Sequence, residues 1–254
     1  MKHVININPN PEKTIIEEFG KHLYEEVRFA DIYPEFGNVR VSETHPFAYL
    51  MNSEINNVKL PVGLFPSVTI VNDTDNRNTA LAMQKQIHTE IKITSAELDN
   101  IKAHRDLYII SDKDIVALEA LLGRFNGTLF ASGVESFIRA SIVCEIWSEN
   151  YEVKGAIYDI LRNFLIGIKR FTIQENYGII VLEDSIRGEK SGNYNFDFGH
   201  ILYGGILRFD TDYIIKQYFV VVDVDFADLE IKEVGQLAVS KIDHTYEEIH
   251  DSEE

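Results

Sequence analysis

An apolar segment that leads directly into an amphipathic helix is the strongest structural signal in this sequence. Residues 137–147 (FIRASIVCEIW) are rich in the β-branched and aromatic side chains that favour a strand. From Asn150 or Tyr151 to about Gly167, apolar side chains recur at spacings of three and four residues, which is typical of a helix with one buried face. The middle of the chain therefore predicts a strand followed by a packed helix.

The remaining sequence alternates between short strand patterns and separated helix patterns. A helix is predicted from Pro11 to just before Pro34, because proline suits a first helical turn and restricts the residue that precedes it. Many strands with three or four helices predict an α+β fold, a mixed or antiparallel β-sheet flanked by those helices. Further helices are predicted over 96–104 and 112–125, and strands over 66–72, 84–94, 106–110, two segments of 127–148, 170–174, 179–182, 201–209 and 213–224.

Polar or glycine-containing segments are expected to separate these strands. The run DTDNRNT closes the strand at 66–72, and ENYG joins the two strands of 170–182, where Gly178 can take a positive φ. Residues 210–212 form the turn before the last strand, and SIRGEKSGNYN (185–195) is a polar loop or hairpin tip.

The chain is long enough for one elaborated domain or two small ones. We divide it into residues 1–126, with the first helix, a loop-rich segment and an insertion; residues 127–226, a core of sheet, helix and hairpin; and residues 227–254, an acidic extension. The best seam between two subdomains lies around residues 127–135.

Charge and cysteine content limit the class of protein. A formal net charge of −17 argues against a basic nucleic-acid footprint and against docking on an anionic membrane. Cys144 is the one cysteine, so no intramolecular disulfide is expected, and its apolar neighbours predict a buried structural thiol. With no secretory signal and no apolar run of membrane-spanning length, we expect a soluble chain made in the cytosol.

Motifs for catalysis or cofactor binding are not found. The sequence has no phosphate-binding glycine loop and no GxSxG nucleophile motif, and its histidines form no zinc-binding pattern. We therefore predict no catalytic residue, cofactor or metal site. The Gly204–Gly205 pair is explained by a bulge or a close backbone approach.

One stretch resembles a known family. Between Phe137 and Asp223 the order is a strand (SFIRASIVCEIWSEN), a helix (YEVKGAIYDILRNFL), a hairpin region with a polar glycine tip, and closing strands (ILYGGILRFD and YIIKQYFVVVDVDF). This order resembles the tail terminator and tail-completion proteins of long-tailed bacteriophages, and related neck proteins. The opening helix PEKTIIEEFGKHLYEEV and the strand PSVTIV suit the same plan. Residues 73–135 would be an insertion relative to the small members.

The resemblance implies a virion structural protein and no enzyme. Such a protein is made in the host cytoplasm and forms a homo-oligomeric ring, commonly a hexamer. The ring caps the tail tube and meets the connector, so the implied partners are further copies, the tail tube and the connector or neck proteins. DNA would pass through without specific binding, and no membrane or cofactor is implied.

Two sets of residues are predicted to serve such a ring. The first would contact a neighbouring subunit and lies mostly in the segment 185–195: Trp147, Arg187, Lys190, Tyr194 and Phe196. The second would line the channel with carboxylates from loops and strand ends, so that a phosphate backbone passes without sticking: Glu183, Asp184, Asp210 and Asp212. The channel-facing surface would then be depleted in Lys and Arg.

Two other functions are also compatible with the sequence. An enzyme whose site is assembled from dispersed carboxylates and histidines leaves no local motif. A cellular interaction module would also fit a chain without catalytic motifs. The solution mass distinguishes a concentration-dependent ring from a stable monomer with one deep polar pocket.

Overall fold

Two long antiparallel strands organise the fold. The structure is a computed structural model that describes residues 2–49, 63–77, 89–189, 193–195 and 201–221. Strands β6 (Thr128–Ser148) and β9 (Ile201–Val221) each contain 21 residues and pair without a register shift from Ser132 to Ser148. Shorter strands flank this pair, and helices cover it, which confirms the predicted α+β class.

The other elements follow the chain in this order. The strands are β1 (Lys2–Pro9), β2 (Arg40–Ser42), β3 (Ser67–Arg77), β4 (Thr89–Thr94), β5 (Tyr108–Ile109), β7 (Ile180–Glu189) and β8 (Asn193–Asn195). The α-helices are α1 (Pro11–Lys21), α2 (Phe29–Ile32), α3 (Ser95–Ala103), α4 (Asp112–Arg124), α5 (Tyr151–Ile166) and α6 (Lys169–Tyr177). A π-helical turn (His22–Glu26) follows α1, and a 3₁₀ turn (Arg105–Leu107) precedes β5.

The described residues form a sheet of nine strands. Six of them follow the order β2-β3-β6-β9-β1-β5, and β4, β7 and β8 pair with β6 or β9 beside this path. Strands β3 and β4 lie end to end along one edge of β6, whereas β1, β7 and β8 share the far edge of β9. The β2–β3 pair is parallel and the other pairs are antiparallel, so the sheet is mixed, as predicted.

Two hydrophobic cores lie on opposite faces of the long strand pair. The larger core takes the even-numbered β6 residues from Ala140 to Ile146, and the smaller core takes the odd-numbered Leu129 and Ala131. Because successive residues of a strand point to opposite faces, these two sets lie on opposite sides of the sheet. We call the two ends of the sheet the larger half and the smaller half.

Helices α1 and α5 cover the larger half. Asn10 accepts a hydrogen bond from the Lys13 backbone N–H at 3.2 Å, and Pro11 occupies the first turn of α1, where no intrahelical N–H bond is lost. Asn150 caps α5 in the same way, accepting from the Glu152 N–H at 2.8 Å. The phenyl rings of Phe19 and Phe164 join the two helices edge to face, with centroids 5.4 Å apart.

The smaller half is built from α3, α4, β1 and β4. Ser111 caps α4 by accepting from the Asp114 N–H at 3.1 Å. The buried side chains here are mostly aliphatic, and Tyr218 of β9 is fully buried among them. The predicted helices over 96–104 and 112–125 are therefore confirmed as α3 and α4, within one residue at each end.

Both long strands were predicted as two strands around a turn, and that prediction is wrong. The polar residues of the predicted turn in β9 lie within the strand because the neighbouring strand satisfies them. Asp212 is 7 % exposed and forms a two-point ion pair with Arg139 of β6, and Thr211 is fully buried. Gly133 of β6 lies opposite Tyr218 of β9 in an unbroken ladder.

The prediction of a strand over 170–174 is also wrong, since these residues lie in α6. Gly178 does take a positive φ of 68°, as predicted, but it ends this helix instead of forming a hairpin turn. The prediction of a loop or hairpin tip over 185–195 is wrong at both ends, because β7 continues to Glu189 and residues 193–195 form β8. Residues 190–192 lie outside the described residues.

Smaller differences concern strand lengths and the number of helices. The run DTDNR continues β3 instead of closing it, and β1, where Ile5 and Ile7 alternate with asparagines, was not predicted at all. Residues 84–88 of a predicted strand and residues 222–224 of the last one lie outside the described residues. The described part contains the six α-helices α1–α6 and a further helical stretch over residues 46–49, more than the three or four helices predicted, partly because the first predicted helix is interrupted and α6 replaces a strand.

Candidate functional site

The sheet face of the larger half that points away from α1 and α5 carries four of the nine predicted site residues, namely Trp147, Arg187, Asp210 and Asp212. By alternation this face displays the odd-numbered residues of β6 from Arg139 to Trp147, and the even-numbered residues of β9 opposite them. We call this surface the polar face and define it by the following residues: Arg139, Ser141, Glu145, Trp147, Arg187, Arg208, Asp210 and Asp212.

An arginine fork lies at one end of the polar face. Arg139 donates from Nε and from a terminal nitrogen to the two carboxylate oxygens of Asp212, each at 2.8 Å. This bond, together with the nearby charges of Asp210 and Asp184, holds the pKa of Arg139 above its ordinary value. The charge-assisted hydrogen bonds from Arg139 therefore stabilise the Asp212 carboxylate within the sheet.

Asp210 is held by two serines. Ser141 Oγ donates to the Asp210 carboxylate at 2.5 Å, and the Asp210 backbone N–H donates to Ser185 Oγ at 2.8 Å. The register between β7 and β9 shifts between Leu182 and Arg187, and the Ser185 hydroxyl, which donates to the Leu182 carbonyl at 2.6 Å, bridges that irregular stretch.

Arg187 and Arg208 face each other across β7 and β9. They are directly opposite in the ladder, and Arg208 is exposed. Like charges directly opposite one another destabilise a strand pair, so this position favours an anionic neighbour. Within the described part of the chain, neither guanidinium has an ion pair.

At the other end of the polar face, His45 links its own loop to the sheet, and we call this contact the histidine clasp. His45 Nδ1 accepts from the Phe47 N–H at 3.2 Å, and His45 Nε2 lies 2.7 Å from the Glu145 carboxylate. With Nδ1 accepting, the ring carries its proton on Nε2 and donates it to Glu145. Both ring nitrogens are thereby engaged, so the clasp holds residues 45–49 against the sheet. Trp147 packs edge to face on Phe47, with centroids 4.8 Å apart.

The described interface residues, Trp147, Arg187 and Tyr194, lie on three different strands. Trp147 is 6 % exposed under His45 and Phe47, so little of its ring is left for a partner. Arg187 lies in β7 instead of a loop, and Tyr194 lies in β8, which pairs with β9. Lys190 and Phe196 lie outside the described residues.

The predicted acidic residues are brought together in part. Asp184, Asp210 and Asp212 surround Arg139, whereas Glu183 forms an ion pair with Arg170 of α6. Sequence reasoning missed Arg139 and His45. Arg139 had a detectable signal, because it is a charged residue inside an otherwise apolar strand, while His45 lies in a loop-rich stretch with no pattern around it.

The described residues offer few other candidates for a catalytic, metal-binding or membrane-spanning role. Cys144 is buried in the larger core, as predicted, and burial raises the pKa of its thiol far above the ordinary value. The prediction of a bulge or a close approach at Gly204–Gly205 is not supported: the β6–β9 ladder has no register shift there, and a Cβ at Gly205 would lie 3.5 Å from the Tyr158 ring, an ordinary van der Waals distance. Among the residues described, no three His, Cys, Asp or Glu side chains are grouped to hold a metal ion, and no helix is long and apolar enough to cross a bilayer.

Comparison with known proteins finds no protein-family model that matches this chain, and no curated protein that matches it.

Proposed function

We propose that this chain is a structural subunit of a long-tailed bacteriophage, a tail terminator or neck protein that assembles into a ring, with a hexamer expected. In that role it caps the tail tube, meets the connector and acts without a cofactor. Its partners are further copies of itself and the adjoining tail and neck proteins, and its final location is the virion.

The observation that carries this proposal is the packing of the elements in which the resemblance lies. Helices α1 and α5 lie on the same face of β3, β6 and β9 and share the larger core. Segments that are far apart in the sequence thus form one unit, in the order that the resemblance implies. This supports a common plan, and it leaves the polar face free of α1 and α5.

A free strand edge gives the proposed ring a contact surface. No described strand pairs with β7 along the edge that faces away from β9. An unpaired edge presents backbone donors and acceptors that a neighbouring subunit can use. Arg187 and Arg208 stand beside this edge, and on a chain of net charge −17 they are suited to the carboxylates of the next copy.

The charges on the polar face differ from those expected for the channel wall. Arg139, Arg187 and Arg208 lie on the same face as Asp210 and Asp212. If this face lines the channel, the wall has mixed charge and is not depleted in arginine. An acidic lumen of the kind first expected then requires a different face of the subunit.

Solution mass tests the proposal. We expect native mass spectrometry and light scattering over a range of concentrations to show a closed oligomer, and negative-stain images to show rings. A strict monomer, both in the isolated protein and in the particle, would contradict the proposal.

A charge-reversal pair tests the contact surface. Replacing Arg187 and Arg208 with glutamate should weaken assembly, because carboxylates would then face carboxylates. The matched control is Lys113→Glu, which reverses an exposed charge on α4 of the smaller half, in a first turn where an acidic residue is favourable. If the arginine double variant assembled as well as the Lys113→Glu control, the ring contact would lie elsewhere on the subunit.

A further inference from the structure

A polar groove of about 790 Å³ lies beside β1, away from the polar face. One wall is formed by β1 and β9. Asn6 and Asn8 lie two residues apart on the same side of β1, and Gln217 of β9 lies directly opposite Asn6. The other wall is the segment 105–111, and Lys13 of α1 stands at the margin. The groove therefore presents a row of side-chain amides at the two-residue repeat of an extended chain.

Three unsatisfied polar atoms belong to residues that line this groove. The Oδ1 atoms of Asn6 and Asn8 and the Nε atom of Arg105 are buried and have no hydrogen-bond partner among the described residues. The two terminal nitrogens of Arg105 donate to the carbonyls of Tyr108 and Ile110 and to the Asp112 carboxylate. These bonds fix the guanidinium, and its Nε–H makes no bond to a described residue. Buried polar atoms of this kind need a partner that supplies both donors and acceptors.

The backbone beside the groove is also incompletely paired. Strand β5 has only two residues and pairs with Asn8 and Pro9 of β1. At Ser111 the chain leaves this edge and enters α4. In the described part of the chain, no strand pairs with the same edge of β1 before Asn8.

We propose that this groove binds an extended peptide segment of a partner protein, which continues the line of β5 along the open edge of β1. The main chain of such a segment offers an N–H and a C=O at every second residue, in step with Asn6 and Asn8. Its backbone pairs with β1, and its polar side chains bond the amides of Asn6 and Asn8, which turn their buried Oδ1 atoms toward the groove when the segment binds. This inference does not depend on the proposed ring, because the groove and the polar face are separate surfaces.

Selection from a displayed library of random peptides tests the proposal on the full-length protein. An enriched peptide, made synthetically, should shift the amide resonances of residues 4–8 and 105–111 in NMR spectra. The double variant Asn6→Ala/Asn8→Ala should weaken its binding about tenfold, which corresponds to the loss of roughly two net hydrogen bonds. The matched control is Asn163→Ala, an exposed asparagine on α5.

A second probe isolates the main-chain pairing. The same peptide, N-methylated at alternate residues, keeps its side chains but loses backbone donors, and it should no longer bind. Failure to enrich any peptide, shifts that map away from the groove, or equal binding of the N-methylated peptide would each overturn the proposal. A binding loss with Asn163→Ala as large as that of the double variant would also overturn it.

Discussion

The larger and smaller halves use the same two strands but build different cores. In the larger half, Phe19, Phe164 and Phe209 fill the space between helices and sheet. In the smaller half the buried side chains are mainly isoleucine and leucine from α3, α4 and β1. The two cores lie on opposite faces, so one strand of 21 residues contributes different side chains to each, while Tyr108 of β5 packs against both.

The halves also differ in how far apart their elements lie in the sequence. The larger core joins α1 near the start of the chain to α5, α6 and the β7–β9 ladder. Most of the smaller core comes from residues 93–129, completed by β1 and Tyr218. A core made mainly from one continuous segment can open locally, whereas a core that ties distant segments together opens with the whole fold. The comparison therefore predicts unequal responses to similar substitutions.

The largest expected effect is that of Phe164→Ala in the larger core. Phe164 is 1 % exposed and packs on Phe19 and His22, with ring centroids 5.4 Å away in both cases. Truncation should lower the free energy of unfolding by about 3–5 kcal/mol, as measured by denaturant titration. Phe171→Ala removes the same ring from a half-exposed position on α6 and should cost far less. Equal losses of unfolding free energy in the two variants would show that Phe164 contributes no more to stability than an exposed phenylalanine.

Leu118→Ala tests the smaller core. Leu118 of α4 is fully buried, and its truncation should cost about 2–5 kcal/mol. Hydrogen exchange should then accelerate in α3 and α4 while the amides of α5 stay protected, because the smaller half opens locally. Uniform acceleration along β6, α4 and α5 would show that the two halves unfold as one unit.

Two glycines of the larger half are expected to respond in opposite directions. A Cβ at Gly188 of β7 would collide with the Tyr158 hydroxyl of α5, so Gly188→Ala should destabilise the protein by about 1–3 kcal/mol. A Cβ at Gly155, within α5, would meet open space, so Gly155→Ala should stabilise the helix by about 0.5–1 kcal/mol. Thermal unfolding of both variants measures the difference, and equal melting temperatures would contradict the tight contact between α5 and β7.

The smallest expected effect is that of Glu26→Gln. Glu26 accepts from Lys169 of α6 and from His22, and these bonds hold the pKa of its carboxyl below the ordinary 4.5. A depressed pKa stabilises the fold above the unfolded value, and that contribution is lost as the pH falls through the folded value. Since the pair is exposed, we expect less than about 1 kcal/mol at neutral pH. The difference between wild type and variant should shrink below pH 4.5, and a difference that grows there would contradict the pairing.

Part of the candidate site could be read from the sequence. The alternation of charged and apolar residues marks Arg139 and Glu145 as belonging to one face of β6, and the acidic residues near 184 and 210 are conspicuous. Which of them meet is a matter of register. Asp212 reaches Arg139 because the two residues are directly opposite in the β6–β9 ladder, and no local pattern fixes a partner 73 residues away.

The sequence by itself determined the helices with strong caps and one apolar stripe. Asn150 before α5 and Ser111 before α4 supply the first-turn hydrogen bonds locally, so these helices begin where the sequence predicts. Only the tertiary structure decided that residues 210–212 continue a strand and that 170–174 form a helix. A polar residue remains in a strand when a partner across the sheet satisfies it, and that partner is brought close only by the completed fold.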